Sequence, residues 1–128
     1  MKPEELMIGD WIIRIGVQEE PMRLYDMKAS YSIAYLDQDG RGVTEKFENI
    51  EPIPLTPEIF EKNGFLVDSN GIFYLKENLK FGFKKDIDYG YWFVNRADNY
   101  KEYICTCDFV HELQHILKLC KIEKEIIL

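Results

Sequence analysis

The sequence predicts an α+β fold: a small SH3-like β-barrel or curled antiparallel sheet, a short linking helix, then an antiparallel sheet packed by one C-terminal helix and a closing strand. Three observations predict it. Short β-branched and aromatic runs bounded by turn residues fill residues 1–55. Apolar and polar residues alternate with a period of two through much of residues 56–128. Residues 108–120 repeat their apolar positions with the period of a helix. We expect the two parts to form one compact unit.

The N-terminal part is predicted to be a set of short antiparallel strands. The candidates are residues 6–15, 22–27, 31–36 and 42–50. Gly9 and Asp10 mark a turn or bulge inside the first strand. Residues 37–40 end in Gly40, which suits the positive φ of a hairpin turn. Trp11 is expected to be the largest buried side chain of this part.

A short helix is predicted to link the two parts. Pro52 and Pro54 hold the preceding backbone extended and remove hydrogen-bond donors, which is typical of a strand exit. Thr56 then caps the helix, with Pro57 at its first position. Gly64 is suited to the left-handed conformation that ends a helix.

The second part is predicted to be an antiparallel meander covered by a helix. A hairpin turn at residues 69–71 separates strands at 65–67 and 72–75. Alternation then places three sets of residues on sheet faces: Leu79, Phe81 and Phe83; Tyr89, Tyr91 and Phe93; Tyr103, Cys105 and Cys107. Asp108 is the expected N-cap of the helix. Residues 122–128 are expected to close the sheet as a strand.

The predicted helix contains a formal H-E-x-x-H motif, which in zinc hydrolases supplies two metal ligands and a general base. The alternative function is therefore a zinc-dependent hydrolase, with His111 and His115 as ligands and Glu112 as base. At about 100° per residue, however, both histidines lie opposite the apolar stripe. We expect them to face solvent, and no third ligand follows in the chain. We assign no catalytic, cofactor-binding or metal-binding residue.

The three cysteines offer a second metal pattern. Cys105 and Cys107 precede the two histidines as C-x-C-x3-H-x3-H, but structural zinc sites usually space their cysteines by two to four residues. An ordinary packed strand is the favoured interpretation. An odd number of cysteines predicts a reducing compartment and a cytoplasmic protein. No apolar run has signal-peptide length or approaches the ~20 residues needed to span a membrane.

Charge and aromatic content bear on nucleic-acid binding, the second alternative function. Tyr89, Tyr91, Trp92 and Phe93 resemble a base-stacking platform, and Lys80, Lys84 and Lys85 are nearby in sequence. The formal net charge of −7 and the interruption by Asp86 and Asp88 argue against attraction to phosphates. The hydrophobic content of 46% indicates a globular chain.

Three segments carry a resemblance to a known family. They are E-L-x-I-G-D-W at residues 5–11, E-P-I-P-L-T-P-E at 51–58 followed by N-G-F at 63–65, and V-H-E-L-Q-H at 110–115. In this order they resemble a family of small proteins of no known activity, from phages, mobile elements and chromosomes of gut bacteria. The helix of that family runs V-H-x-L-Q-N, which His111, Leu113 and Gln114 match, so Glu112 and His115 are local choices of this chain. Relatives often carry glycine at the position of Lys121. The resemblance implies a structural His111 and transfers no catalytic residue.

These observations together predict a non-enzymatic cytoplasmic accessory protein of phage or mobile-element origin. We expect it to act by binding another macromolecule, a protein in the first place. The expectation rests on the absence of a convergent polar site in the sequence, the aromatic content of 14% and the analogy to small barrels used for binding. No cofactor and no membrane partner are expected.

Overall fold

The computed structural model describes residues 1–16, 21–28, 32–36, 41–96 and 99–128, and it is an α+β protein with two antiparallel sheets. The chain divides into two compact units. Unit 1 comprises Met1–Pro54 and Phe109–Gln114, and unit 2 comprises Leu55–Asp108 and His115–Leu128. Two α-helices lie within the described ranges. Neither is long and apolar enough to cross a membrane.

Unit 1 is built on a five-stranded sheet. Its strands are β1 (Trp11–Arg14), β2 (Met22–Lys28), β3 (Ser32–Leu36), β4 (Gly42–Lys46) and β5 (Ile50–Pro52), in the order β4-β3-β2-β1-β5. The predicted strands at 22–27 and 31–36 are confirmed as β2 and β3. The predicted return strand at 42–50 is broken by a one-turn 3-10 helix, Phe47–Asn49. Within the described residues the sheet is open and forms no closed barrel. The hairpin turn predicted at 37–40 lies outside those residues.

The core of unit 1 lies on the inward face of this sheet. Its buried members are Leu6, Ile12, Met22, Leu24, Phe47 and Ile50. The prediction that Trp11 is the largest buried anchor is wrong, because neighbouring residues of a strand point to opposite faces. Ile12 takes the inward position and is fully buried, so the Trp11 ring is only half-buried. The Arg23 guanidinium lies over that ring, 5.4 Å from its centroid.

Unit 2 begins with the predicted linking helix, α1 (Pro57–Lys62). The Oγ1 of Thr56 accepts a hydrogen bond from the Ile59 N–H at 3.3 Å, which confirms the predicted N-cap. Gly64 has φ +80 and ends the helix as predicted. The Gly64 and Phe65 N–H groups donate to the carbonyls of Glu61 and Phe60. This is the Schellman pattern, in which a left-handed residue lets the last carbonyls of the helix find donors.

The sheet of unit 2 is an antiparallel meander, as predicted. Its strands are β6 (Leu66–Val67), β7 (Phe73–Leu75), β8 (Asn78–Lys85), β9 (Trp92–Arg96) and β10 (Asn99–Thr106), paired in the order β10-β9-β8-β7-β6. Phe60 of α1 is fully buried at the centre of an aromatic cluster. Its ring centroid lies 4.9–5.4 Å from those of Phe65, Phe73, Phe83 and Trp92.

The prediction that Tyr89, Tyr91 and Phe93 share one face of a strand is wrong, because β9 begins at Trp92. Trp92 and Val94 are buried, whereas the prediction had paired Phe93 with Tyr89 and Tyr91. Phe93 contacts Tyr103 of β10 instead, with ring centroids 5.3 Å apart. Alternation fixes which residues share a face, but it does not say which of two apolar faces meets the core.

Helix α2 (Val110–Leu119) contributes residues to both units, with the division after Gln114. Val110, Leu113 and Leu117 are buried, in agreement with the predicted apolar stripe. The prediction of Asp108 as N-cap is wrong. The Oδ1 of Asp108 accepts the Trp92 N–H at 3.0 Å and so serves the neighbouring strand. The helix begins later than predicted, at Val110.

The C-terminal end of α2 repeats the pattern that ends α1. The Ile122 N–H donates to the Leu117 carbonyl at 2.8 Å, and the Lys121 N–H donates to the Lys118 carbonyl at 3.1 Å. Lys121 has φ +57, the only described non-glycine residue with positive φ. It therefore occupies the position at the end of a helix where glycine is usual.

The predicted closing strand at 122–128 is wrong, because no strand is formed there. The segment is instead bound by the carboxamide of Asn63, whose Oδ1 accepts the Ile127 N–H at 2.7 Å. The Nδ2 of Asn63 donates to the Ile127 carbonyl at 2.8 Å. One buried side chain thus supplies the pair of hydrogen bonds that a neighbouring strand would otherwise provide.

Candidate functional site

The two histidines of the H-E-x-x-H motif have different environments. His111 is only 5% exposed, and its ring stacks on Phe109 with centroids 5.9 Å apart and planes inclined by 16°. His115 is half-buried. The prediction that both face solvent is therefore wrong for His111. A helical wheel allows for one covered face, whereas His111 lies outside the predicted apolar face and is buried all the same.

Glu112 makes a structural contact at the start of the helix. Its Oε1 accepts the Phe109 N–H at 3.2 Å. Phe109 precedes the first helical residue, so Glu112 stands at the third helical position. A glutamate there commonly reaches back to the N–H of the cap residue. The Glu112 carboxylate therefore caps the N-terminal end of α2, and this contact requires no metal.

A zinc site requires at least three protein donors around one ion. Among the residues that the structure describes, no group of three His, Cys, Asp or Glu side chains is placed to hold a metal ion. Cys105 and Cys107 form no disulfide within the described residues, and Cys107 is fully buried. The structure thus gives neither metal pattern a donor set within the described ranges.

Gln114 joins the two chain segments of unit 1 by hydrogen bonds to the backbone beside β1. Its Oε1 accepts the Trp11 N–H at 3.0 Å, and its Nε2 donates to the Gly9 carbonyl at 3.0 Å. Between them, the buried carboxylate of Asp10 accepts the Met7 N–H at 2.7 Å. The G-D-W and L-Q pieces that carry the family resemblance are therefore neighbours in space. Their contact is structural, because it satisfies backbone groups of a turn.

The turn between β8 and β9, residues 86–91, is the candidate functional site and is called the aromatic turn below. Asp86 organises it. The Oδ1 of Asp86 accepts the N–H groups of Asp88 at 2.9 Å and Tyr89 at 3.0 Å. The Asp86 N–H donates to the Tyr91 carbonyl, and the Gly90 N–H donates to the Asp86 carbonyl, both at 2.8 Å. Gly90 has φ +74, which glycine adopts without strain. The backbone of the turn is therefore fixed from within.

This fixed turn displays apolar side chains to solvent. Ile87 is 96% exposed, Tyr89 75% and Tyr91 49%. Single exposed apolar residues are ordinary, but this turn exposes three within six residues. Asp88 is also exposed, as are Lys84 and Lys85 at the end of β8. The turn thus offers apolar contact area beside charges of both signs, and its described residues form no convergent polar group for catalysis.

No family model, curated protein or solved structure matches this chain.

The stacking platform considered under the nucleic-acid alternative, Tyr89, Tyr91, Trp92 and Phe93, is not exposed as one set. Trp92 is buried, and Phe93 is half-buried beside Tyr103. Tyr89 and Tyr91, which the prediction placed on a sheet face, instead belong to the aromatic turn. The prediction missed Ile87. The available signal was an isoleucine between two aspartates, followed by tyrosine and glycine, because that composition belongs to a turn and leaves its apolar side chain outside the core.

Two surface clefts lie among the described residues of the two units, one in each. An open cleft of about 870 Å³ in unit 1 is lined by Met1, Lys2, Pro3, Glu5, Lys46, Phe47 and Glu48. A second of about 450 Å³ in unit 2 is lined by Leu75, Glu77, Asn78, Lys121, Ile122, Glu123 and Lys124. Each lining contains two lysines and two glutamates, so neither cleft favours anionic over cationic ligands. Their charged side chains lie at the surface and form no buried polar set of the kind that selects a small molecule.

Proposed function

We propose that this chain is a non-enzymatic protein-interaction module of the cytoplasm, of phage or mobile-element origin. The observation that carries the proposal is the aromatic turn, where Ile87, Tyr89 and Tyr91 are held in solvent on a backbone that needs no partner to order it. Ordering a loop on binding opposes association. A turn that is already ordered avoids the loss of conformational entropy on binding, which supports a role in recognition.

The chemistry of the exposed side chains favours a protein as the partner. Tyrosine combines a large apolar ring with a hydroxyl, and it is enriched at protein interfaces, especially among residues that dominate binding energy. Isoleucine has no polar atom with which to contact a base or a phosphate. The net charge of −7 further disfavours association with nucleic acid through its phosphates.

The architecture of unit 1 supports the more specific description of an SH3-like subdomain. Its five strands form one antiparallel sheet in the order β4-β3-β2-β1-β5, with the 3-10 turn Phe47–Asn49 between β4 and β5, which is compatible with a curled SH3-like sheet. Small barrels of this type host many different functions, so the likeness supports binding only by analogy.

The non-enzymatic and cytoplasmic parts of the proposal have their own support. Glu112, the general base of the zinc-hydrolase alternative, bonds the Phe109 N–H, and His111 is packed against an aromatic ring. None of the three cysteines forms a disulfide within the described residues, which is typical of a reducing compartment.

Affinity capture with the full chain tests the function. The tagged chain is incubated in a lysate of the cell that encodes it, with and without nuclease, and bound proteins are quantified. We expect a stoichiometric protein partner that survives nuclease treatment and binds the purified chain in a calorimeter. Recovery of background proteins alone, or of material lost on nuclease treatment, would contradict the proposal. Stoichiometric zinc in chelator-free protein that is lost in His115→Ala would favour the hydrolase instead.

A further inference from the structure

We infer that Asn70 is a site of spontaneous covalent modification, at which the carboxamide is converted to a carboxylate through a cyclic imide formed with Gly71. The chain contains a second Asn-Gly pair, Asn63–Gly64, that could undergo the same chemistry. The fold leaves the first pair open to the reaction and protects the second. Water is the only co-reactant that the conversion requires.

The chemistry begins at the backbone nitrogen that follows the asparagine, which is one of the thermolabile residue types. The Gly71 N–H gives its proton to hydroxide, and its nitrogen forms a bond to the Cγ of Asn70. The bond from Cγ to Nδ2 breaks, and that nitrogen leaves as ammonia with a proton taken from water. A further water opens the ring at either carbonyl, which yields aspartate or isoaspartate. Glycine favours the attack because it has no Cβ beside the nitrogen.

The two glycines present their nitrogens in matched settings. Gly64 has φ +80 and Gly71 has φ +78, and both are exposed. Each glycine N–H donates at 3.1 Å to the carbonyl three residues earlier, that of Glu61 or of Asp68. The two nucleophiles therefore differ little, so a difference in reactivity has to come from the asparagine carboxamides.

Those carboxamides have opposite settings. The side chain of Asn63 is 4% exposed, and its carboxamide makes three hydrogen bonds to the backbone of Ile59 and Ile127. Turning its Cγ towards the glycine nitrogen breaks them. The side chain of Asn70 is exposed, and its carboxamide makes no hydrogen bond to any residue that the structure describes. Each lost bond slows a reaction by about 5-fold, so three of them protect Asn63 by about 100-fold.

The isoaspartyl product changes the turn between β6 and β7. The Oδ1 of Asp68 accepts the N–H groups of Asn70 at 2.8 Å and Ile72 at 3.0 Å. Isoaspartate carries the chain through its side-chain carbon and so adds one backbone atom between these two donors. A single oxygen then no longer reaches both, and the Ile72 N–H is released. The aspartyl product adds a negative charge and keeps the length of the backbone.

Peptide mapping of the full chain tests the site. The folded protein and the urea-unfolded protein are incubated at mildly alkaline pH in water enriched in heavy oxygen, then digested at acidic pH for mass spectrometry. We expect labelled aspartyl and isoaspartyl peptides from Asn70 in the folded protein, with Asn63 converted about 100-fold more slowly. In urea both should convert at similar rates.

Three results of the mapping would overturn the proposal. They are the absence of conversion at Asn70 in the folded protein, equal rates at the two pairs in the folded protein, and an Asn63 that stays equally slow in urea. Asn70→Gln is the matched control, because its longer side chain needs a larger ring. Label that persists at position 70 in this variant also overturns the route through Gly71.

Hydrogen exchange of the separated products gives the second measurement. We expect the Ile72 N–H to exchange at least about 5-fold faster in the isoaspartyl chain than in the unmodified chain, the effect of losing one hydrogen bond. Asn70→Asp reproduces the charge without the longer backbone, so its Ile72 N–H should exchange at the unmodified rate. Unchanged exchange in the isoaspartyl chain, or equally fast exchange in Asn70→Asp, overturns the release of the Ile72 N–H by the longer backbone.

Discussion

Replacing Asn63 with alanine removes a carboxamide that makes three hydrogen bonds within unit 2. Its Nδ2 donates to the carbonyls of Ile59 and Ile127, both at 2.8 Å, and its Oδ1 accepts the Ile127 N–H at 2.7 Å. The side chain is 4% exposed. Each such bond contributes about 1 kcal/mol net. Because water can reach part of the freed backbone, we expect Asn63→Ala to lower the free energy of unfolding by about 2–3 kcal/mol.

The isosteric change Asn63→Asp separates hydrogen bonding from packing. The new carboxylate still accepts the Ile127 N–H, but its second oxygen faces two carbonyl oxygens in place of a donor. Burial and these carbonyls disfavour the charged form and raise the pKa of the introduced carboxyl in the folded state. The variant is then less stable than Asn63→Ala by about 1–2 kcal/mol at neutral pH, and it recovers stability as the pH falls and the carboxyl is protonated.

Urea unfolding at neutral and acidic pH measures both variants. Asn70→Asp is the control, because Asn70 is exposed in a turn and its change should stay within about 0.5 kcal/mol. Stability of Asn63→Asp equal to or above that of Asn63→Ala at neutral pH would refute the reasoning. So would an Asn63→Ala effect no larger than that of the control.

Three further changes test other contacts. Lys121→Gly should raise the free energy of unfolding by about 0.5–1 kcal/mol, since glycine adopts φ +57 without strain; a lower urea midpoint would contradict this. Gln114→Ala should lower it by about 1–2 kcal/mol and speed hydrogen exchange at the Trp11 N–H, and unchanged exchange would count against the contact. The side-chain amide of Asn49 and the backbone N–H of Lys46 lower the pKa of Glu45 in the folded protein. The ionised carboxylate therefore stabilises the fold above the pKa that Glu45 has in the unfolded chain. That stabilisation is lost as the pH falls through the lower pKa of the folded state. Asn49→Ala should move the Glu45 titration, followed by NMR, towards the ordinary carboxyl value, and an unmoved curve would exclude the hydrogen bond as its cause.

The parts of the fold that obey local rules could be predicted from the sequence. Thr56, Pro57 and Gly64 set the start and end of α1 through capping and φ preferences that operate within a few residues. The predictions that were wrong concern side chains whose environment is set by tertiary packing. The burial of His111 and the use of Asp108 by Trp92 both require a knowledge of distant neighbours. No periodicity in the chain contains that information.

The candidate site shows the same limit. The sequence analysis placed Tyr89 and Tyr91 on a strand face because aromatic residues occupy every second position there. The same spacing can occur in a turn, and both residues precede β9. The decisive residue was Asp86, whose carboxylate closes the turn over two backbone N–H groups. Aspartate commonly bonds backbone N–H groups two residues further on. Applied at this position, that rule would have placed Ile87 at an exposed tip.

The two tryptophans lie in different units, and this gives the molecule a pair of built-in optical reporters. Trp92 is 3% exposed within the aromatic cluster of unit 2, whereas Trp11 of unit 1 is half-buried beneath a guanidinium. Emission from Trp92 should therefore be blue-shifted, and that from Trp11 red-shifted. Trp11→Phe and Trp92→Phe would each leave a single fluorophore, so that melting of either unit can be watched without labelling the chain.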